Sequence, residues 1–133
     1  MGFHSPTAFA TATRVARGAR NHAAGRMAED NVAAWYARQG GRILAQRWRC
    51  QWGEIDLIVA IDDMVVFVEV KSARTHDQAA WRLGRRQMDR ICAAATAYCA
   101  HLEAGMLTPM RFDAALVDGM GRVSVIENAF GDW

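Results

Sequence analysis

The chain has 133 residues, 52% of them hydrophobic and 23% charged, which is the composition of one folded domain rather than of a disordered chain. Charged residues interrupt every apolar stretch well short of the ~20 residues that a bilayer-spanning helix needs, so a transmembrane helix is excluded. The net charge is only +2, but acidic and basic residues are distributed unevenly along the chain.

The cysteines, Cys50, Cys92 and Cys99, contain no C-x-x-C pair, and such a sparse, odd-numbered set is a poor disulfide framework. A reducing cytoplasm is therefore the expected location. Cys92 and Cys99 lie one heptad apart in a helical pattern, which is typical of small buried apolar residues. We assign no chemistry to them.

Residues 1–20 are rich in Ala, Thr, Arg and Gly and lack apolar periodicity, so they are predicted to form a flexible basic arm. An organellar transit peptide, a nucleic-acid-binding tail and a misassigned start codon would all produce this pattern. Residues 21–133 are predicted to form a single folded domain.

The first predicted element is a helix from about Asn21 to Gln39, which the Gly40-Gly41 pair ends. Glu29 and Asp30 occupy its early turns, where acids also suit the helix dipole. Its apolar stripe, at helical spacing, consists of Ala28, Val32, Trp35 and Tyr36.

Three strands are predicted next, over Arg42–Cys50, Glu54–Ala60 and Met64–Lys71. The third is the most β-prone segment of the chain, and Asp62-Asp63 makes the turn before it. Together the three segments indicate a hairpin or meander.

A loop from Ser72 to His76 leads to a long amphipathic helix predicted over Gly84–Leu102. Strands over Arg111–Val117 and Arg122–Ile126 follow, joined by a turn. The order αβββαββ predicts an α/β fold in which a mixed β-sheet is flanked by helices. The apolar stripe of the long helix consists of Met88, Ile91, Ala95, Tyr98 and Leu102.

Four charged residues on the second and third strands are predicted to share one patch of the sheet. Because side chains alternate along a strand, Glu54 and Asp56 lie on one face, and so do Glu69 and Lys71. A two-residue turn at Asp62-Asp63 then places Asp56 opposite Glu69 and Glu54 opposite Lys71. Lys71 is the only lysine among 16 basic Lys and Arg residues.

Two carboxylates facing each other with Cβ atoms ~5 Å apart destabilise a sheet, so the pair needs a compensating charge. Mg²⁺ would supply it, because this ion takes oxygen ligands from one or two carboxylates and from substrate phosphates. The alternative is an exposed strand face with an ordinary Glu–Lys pair. A register slip of one residue would move Asp56 to the opposite face from Glu69.

Arginine-rich segments precede and follow the acid-rich stretch from Glu54 to Lys71. Guanidinium groups bind phosphates, so this distribution favours a metal site that acts on a polyanion, although a solvated arginine face would have the same pattern. The arginines after the acidic stretch are Arg74, Arg82, Arg85, Arg86 and Arg90.

Aromatic residues offer a second kind of contact to nucleic acid, because they can stack on unpaired bases. Aromatic residues at helical or strand spacing also fill protein cores, and the sequence leaves both interpretations open. The residues concerned are Trp35, Tyr36, Trp48, Trp52 and Trp81.

The segments Gly53–Ile58 (GEIDLI) and Val66–Lys71 (VFVEVK) resemble the YraN-type family of endonuclease-like bacterial proteins. The similarity extends to Gly25–Glu29, to Arg111–Asp113 and to Glu127–Phe130, and therefore covers nearly everything after about residue 22. The resemblance implies a restriction-endonuclease-like core of the PD-(D/E)XK group, which is similar to archaeal Holliday-junction resolvases.

In that group the Asp and the Glu of the pattern bind Mg²⁺ and the Lys serves the attacking water. The resemblance assigns these roles to Asp56, Glu69 and Lys71. Glu29 stands where an acid of the first helix often completes the metal site. Two positions depart from the group pattern, since Ile55 replaces a proline and Arg85 stands where relatives often have lysine.

The resulting hypothesis is an endonuclease that uses Mg²⁺ or Mn²⁺ to hydrolyse phosphodiester bonds in DNA, including branched or structured DNA. Glu54 would bind a second cation or pair with Lys71. A homodimer is expected for a junction substrate, because two strands must be cut symmetrically. The alternative is a nucleic-acid-binding module that keeps the nuclease fold without cutting. Contacts to DNA are expected from Arg74, Arg85, Arg86, Gln87 and Arg90.

Overall fold

The structure is a computed structural model that describes residues 24–130. It opens in helix α1, over residues 24–38, where the predicted stripe buries Ala28, Val32 and Tyr36. Gly40, with φ +88°, turns the chain out of the helix, as predicted from the Gly40-Gly41 pair. The predicted basic arm over residues 1–20 lies outside the described residues, as do the first residues of the predicted helix.

Within residues 24–130 the chain forms a five-stranded sheet in the order β1-β2-β3-β4-β5. The β1–β2, β2–β3 and β4–β5 pairs are antiparallel, and the β3–β4 pair is parallel. The predicted mixed sheet is therefore confirmed. The strands are β1 Arg42–Cys50, β2 Gly53–Ile61, β3 Met64–Ser72, β4 Met110–Val117 and β5 Val123–Ile126.

The parallel β3–β4 pair requires a crossover, which consists of α2 His76–Ala80, α3 Arg85–Cys99 and a 3₁₀ turn at Gly105–Leu107. Helix α2 was not predicted, and the loop prediction that ended at His76 was wrong there. Thr75 caps α2 by accepting a 3.1 Å hydrogen bond from the N–H of Gln78. A helix of five residues is too short to show the apolar period by which helices are recognised.

The sheet is covered on both faces, which explains the almost uninterrupted apolar run of β3. Of the helices between residues 24 and 130, none combines the length and hydropathy of a bilayer span. One face packs against α1 and contains Leu57, Val59, Val66, Val68, Ala115 and Val117. The other packs against α3 and contains Ile55, Ile58, Val65, Phe67 and Phe112.

Strand β2 breaks the alternation of its side chains at Asp56. Leu57 and Val59 face α1, yet Ile55 faces α3, which strict alternation would forbid. Across from the break lies Arg47 of β1, a non-glycine residue with φ +49°. Such a conformation kinks an edge strand locally. Strict alternation, from which Glu54 and Asp56 were predicted to share a face, therefore fails at this position, although both residues still line one pocket.

Gly41 joins α1 to β1 where the helix approaches the sheet closely. A Cβ atom at this position would lie 2.7 Å from Val59 Cγ1 and 2.9 Å from the carbonyl oxygen of Tyr36. We expect Gly41→Ala to lower the free energy of unfolding by about 1–3 kcal/mol through overpacking, measured by urea denaturation. Gly25→Ala, where nothing lies within 4 Å, is the control and should cost nothing. Equal stability of the two variants would contradict this explanation.

Candidate active site

Asp56 and Glu69 bring their carboxyl groups together on the α3 side of the sheet. The last hydrogen-bonded residue pair between β2 and β3 is Leu57 with Val68, and the two acids follow directly after it. There a side chain takes the place of a backbone acceptor between the strands, since Asp56 Oδ2 accepts a 2.8 Å hydrogen bond from the N–H of Val70. The acids that were predicted to face each other do lie together, and Glu69 is only 4% exposed.

Lys71 and Gln87 both contact the same oxygen of Glu69. Lys71 Nζ lies 3.5 Å from Glu69 Oε1, and Gln87 Nε2 donates a 3.0 Å hydrogen bond to it. Lys71 belongs to β3, whereas Gln87 lies in the first turn of α3. Glu69 is therefore held from its own strand and from the helix above it, which restricts its rotamers.

Burial raises the pKa of Glu69 to about 9, and the negative charge of Asp56 adds to the effect. Burial also raises the pKa of Asp56, which is opposed by a hydrogen bond from the Glu69 side chain and one from the N–H of Val70. The two groups titrate as a pair. Without a cation, the pair therefore retains one proton at neutral pH, carried by Glu69 and shared with Asp56.

We expect the metal-free protein to lose stability as the pH rises from about 5 to 9. Folded Glu69 keeps its proton up to about pH 9, whereas in the unfolded chain the same side chain, with the ordinary glutamate pKa of 4.5, loses it earlier. Between these values the folded state binds more protons than the unfolded state, so the free energy of unfolding falls with rising pH.

The slope is at most about 1.4 kcal/mol per pH unit for one proton. Urea denaturation in EDTA at several pH values measures it, and Glu69→Gln should flatten it. An identical slope in that variant would mean that other groups cause the pH dependence.

Glu29 of α1 is near enough to Asp56 for the two charges to interact. Its Oε1 accepts a 2.8 Å ion-paired hydrogen bond from Arg47 Nη1. Burial raises the pKa of Glu29, and the charge of Asp56 raises it further, while Arg47 lowers it. Helix α1 thus brings a third acid into the field of Asp56, although that acid is already paired with an arginine.

Glu54 pairs with Arg49 of β1 at 2.8 Å, and Lys71 pairs with Glu69 instead. The predicted approach of Glu54 to Lys71 is therefore replaced by two separate ion pairs. The break in β2 at Asp56 explains this, because the strand pairing counted from the Asp62-Asp63 turn does not extend past Leu57 and Val68. Arg47 and Arg49 were not identified from the sequence, since arginines on an edge strand are indistinguishable from ordinary solvated residues.

A pocket of about 220 Å³ opens over the carboxyl pair. Of the residues predicted to contact DNA, Gln87 and Arg90 lie on its wall, whereas Arg85 and Arg86 are exposed on the first turn of α3. Arg74 is exposed in the loop after β3, where its carbonyl oxygen accepts from Gly119 N–H. The wall consists of Gly53, Glu54, Asp56, Glu69, Gln87, Arg90 and Ile91.

The donor set of Asp56 and Glu69 fits a Mg²⁺ or Mn²⁺ ion. Both side chains offer hard oxygen atoms, and the protein alone must offset their mutual repulsion with a proton, Lys71 and Gln87. Between residues 24 and 130, no three His, Cys, Asp or Glu side chains are grouped to hold a metal by themselves. Water and substrate oxygens would complete the shell, as is usual for Mg²⁺.

Comparison with known proteins places the chain in a family. The profile of the uncharacterised protein family UPF0102 matches residues 28–117. A UPF0102 protein of Ruegeria pomeroyi is 55% identical over 115 residues, which cover 86% of this chain and 94% of the relative. One from Cereibacter sphaeroides is 52% identical over 110 residues, covering 83% and 94%. One from Roseobacter denitrificans is 43% identical over 122 residues, covering 92% and 95%. The chain therefore belongs to the UPF0102 family.

Proposed function

We propose that this protein is a Mg²⁺-dependent endonuclease that hydrolyses phosphodiester bonds in DNA on a restriction-endonuclease-like core. The observation that carries the proposal is the contact between Asp56 and Glu69 at the floor of a pocket, with Lys71 Nζ 3.5 Å from Glu69. Two carboxylates with an adjacent ammonium form a site for a cation and for the negative charge of a phosphate.

The resemblance of GEIDLI and VFVEVK to the PD-(D/E)XK pattern supports the same reading of the site. Asp56 and Glu69 would bind the cation, which would polarise the scissile phosphate and stabilise the leaving oxygen. Lys71 would orient the attacking water and offset negative charge in the transition state. Gln87 keeps Glu69 in place through its 3.0 Å hydrogen bond.

The wall of the pocket supplies the contacts to the phosphate backbone. Arg90 lies on that wall, and the exposed Arg85 and Arg86 extend the positive charge along α3. Glu29 contributes negative charge from α1, and its carboxylate is ion-paired with Arg47. Since Glu54 lines the pocket but is paired with Arg49, a second cation there would have to compete with that arginine.

A cleavage panel tests the proposal. Labelled single-stranded DNA, duplex DNA and a four-way junction are incubated with the protein and Mg²⁺ or Mn²⁺, with Asp56→Asn as the matched negative control. We expect cleavage of at least one DNA form by the parent protein and of none by the variant. Cleavage that persists in Asp56→Asn, or that does not require the added ion, would contradict the assignment.

Calorimetric titration with Mn²⁺ separates the nuclease from a module that binds nucleic acid without cutting. We expect binding by the parent protein and its loss in Glu69→Ala. DNA binding without cleavage, together with no Glu69-dependent metal binding, would favour the non-catalytic module instead.

A further inference from the structure

The structure separates packed tryptophans from exposed ones, a distinction that the sequence left open. Trp48 packs edge-on against Tyr98 with ring centroids 5.3 Å apart, and Trp35 packs edge-on against Tyr36 at 5.0 Å. Trp52 and Trp81 instead present 49% and 88% of their surface to solvent. The first two are accounted for by packing, but the second two are not.

Both exposed indoles are close in the chain to elements that build the acidic site. Trp52 occupies the β1–β2 turn, directly before Gly53 and Glu54 on the wall of the pocket, and its backbone N–H donates to Cys50 Sγ at 3.4 Å. The indole at position 52 is therefore attached to a structured turn at the pocket's edge.

Trp81 lies in the segment between α2 and α3. The next residue, Arg82, donates a 3.0 Å hydrogen bond from Nη1 to the carbonyl oxygen of Ser72, the residue that follows Lys71. Helix α3 begins a few residues later and places Gln87 on Glu69. In the chain, Trp81 therefore lies between the residues that follow Lys71 and the first turn of α3, whereas Trp52 directly precedes β2.

Positive charge accompanies each indole. The side chain of Arg49, three residues before Trp52, is 80% exposed. Arg85 and Arg86, shortly after Trp81, are exposed as well. Single exposed apolar residues are common on protein surfaces. Exposed aromatic rings interleaved with arginines, on segments that lead into the acidic pocket, match the chemistry of single-stranded nucleic acid, whose bases stack on the rings while the guanidinium groups bind its phosphates.

We propose that Trp52 and Trp81 are stacking platforms for unpaired bases, so that the DNA bound at this site has a single-stranded segment next to the phosphate in the pocket. In a duplex each base face is covered by its neighbours, so an indole can stack only on bases that have left the helix. The inference rests on the proposed function for its location, and it specifies the substrate as single-stranded or locally unpaired DNA.

The test measures binding in EDTA, where cleavage cannot occur. Fluorescence anisotropy compares a labelled oligothymidine with an abasic strand of the same length and with a duplex. We expect Trp52→Ala and Trp81→Ala each to weaken oligothymidine binding by roughly 5-fold or more. Binding to the abasic strand should change less than about 2-fold, since its phosphates are intact.

Two further variants make the result specific. Trp81→Phe keeps an aromatic face and should retain most of the affinity. Leu107→Ala removes another exposed apolar side chain, 87% exposed in the 3₁₀ turn beyond the C-terminal end of α3, and should leave binding unchanged. Because these side chains are exposed, the melting temperatures of all variants should match that of the parent.

Unchanged oligothymidine binding in both tryptophan variants would overturn the inference, as would an equal loss on the abasic strand. A change of oligomeric state in Trp52→Ala or Trp81→Ala, measured by light scattering, would assign the indoles to an interface between copies and overturn it too. The proposed function fails separately, by the absence of Asp56-dependent cleavage, even if tryptophan-dependent binding is found.

Discussion

Glu69→Gln is expected to slow Mg²⁺-dependent cleavage of DNA by about 1,000-fold or more, because several kcal/mol of transition-state stabilisation depend on the bound cation. Glutamine is isosteric with the protonated glutamate that the metal-free protein contains at neutral pH. Its amide can still contact Asp56, yet it cannot supply a charged oxygen to a cation. The substitution should therefore remove activity without loosening the strands.

Stability measured beside activity makes this expectation specific. At about pH 7 the urea midpoint of Glu69→Gln should equal or exceed that of the parent, since the variant never has to bury the charge of this carboxylate. Single-turnover cleavage with excess protein then reports the chemical step. Glu103→Gln carries the same chemical change at an exposed position and should leave both measurements unchanged. Cleavage within about 10-fold of the parent would show that Glu69 does not bind the catalytic ion.

The hairpin that carries the two acids could be predicted from the sequence because a local turn determines its register. With Asp62-Asp63 as the turn, Ile61 pairs with Met64 as expected. The parallel pairing of β4 with β3 could not be predicted in the same way, because no local turn connects the two strands. It depends on a crossover through α2 and α3, and neither periodicity nor turn chemistry specifies which strand edge the returning chain will join.

The residues that surround the two acids could be predicted from the sequence less well than the acids themselves. Arg47 adopts φ +49°, and a left-handed arginine leaves no mark in a sequence, because glycine and asparagine are the residues that signal it. Its ion pair with Glu29 and the break at Asp56 both follow from tertiary packing. Charge spacing therefore predicted which acids converge, but not which arginines neutralise them.

Two motifs that strengthened the family resemblance prove to be joined in space. Asn128 N–H donates to Asp113 Oδ1 at 3.0 Å, and Ala129 N–H donates to the Phe112 carbonyl oxygen at 2.8 Å. Phe130 stacks on Phe112 with ring centroids 5.9 Å apart. The segments Arg111–Asp113 and Glu127–Phe130 thus stabilise one another, and they join β4 to the segment that follows β5 rather than line the acidic pocket.

Asp113 is the centre of that arrangement, and it is fully buried. Its Oδ2 accepts from Tyr36 Oη at 2.7 Å and from Arg111 Nη2 at 2.9 Å. Its Oδ1 accepts from Arg111 Nε at 2.8 Å as well as from Asn128. Burial and the hydrogen bond to Asp113 raise the pKa of Tyr36, so its hydroxyl remains a donor. Helix α1, strand β4 and the C-terminal segment therefore meet at one carboxylate.

Asp113→Ala is expected to lower the free energy of unfolding by about 3–5 kcal/mol, because it leaves a half-buried guanidinium and a buried hydroxyl without their acceptor. Tyr36→Phe, which removes one donor and keeps the ring, should cost only about 1–2 kcal/mol. Urea denaturation measures both losses, and Asp63→Asn in the exposed β2–β3 turn is the control for loss of an acid. Domains of this size are stable by only about 5–15 kcal/mol, so the loss expected for Asp113→Ala would remove most of the stability of a domain at the lower end of that range. A loss no larger than that of Tyr36→Phe would mean that the guanidinium of Arg111 finds water or Glu127, 3.5 Å away, as an adequate replacement. The strand that pairs with β3 would then be held by its backbone hydrogen bonds and apolar packing, and the geometry of Glu69 on the opposite face would not depend on this carboxylate.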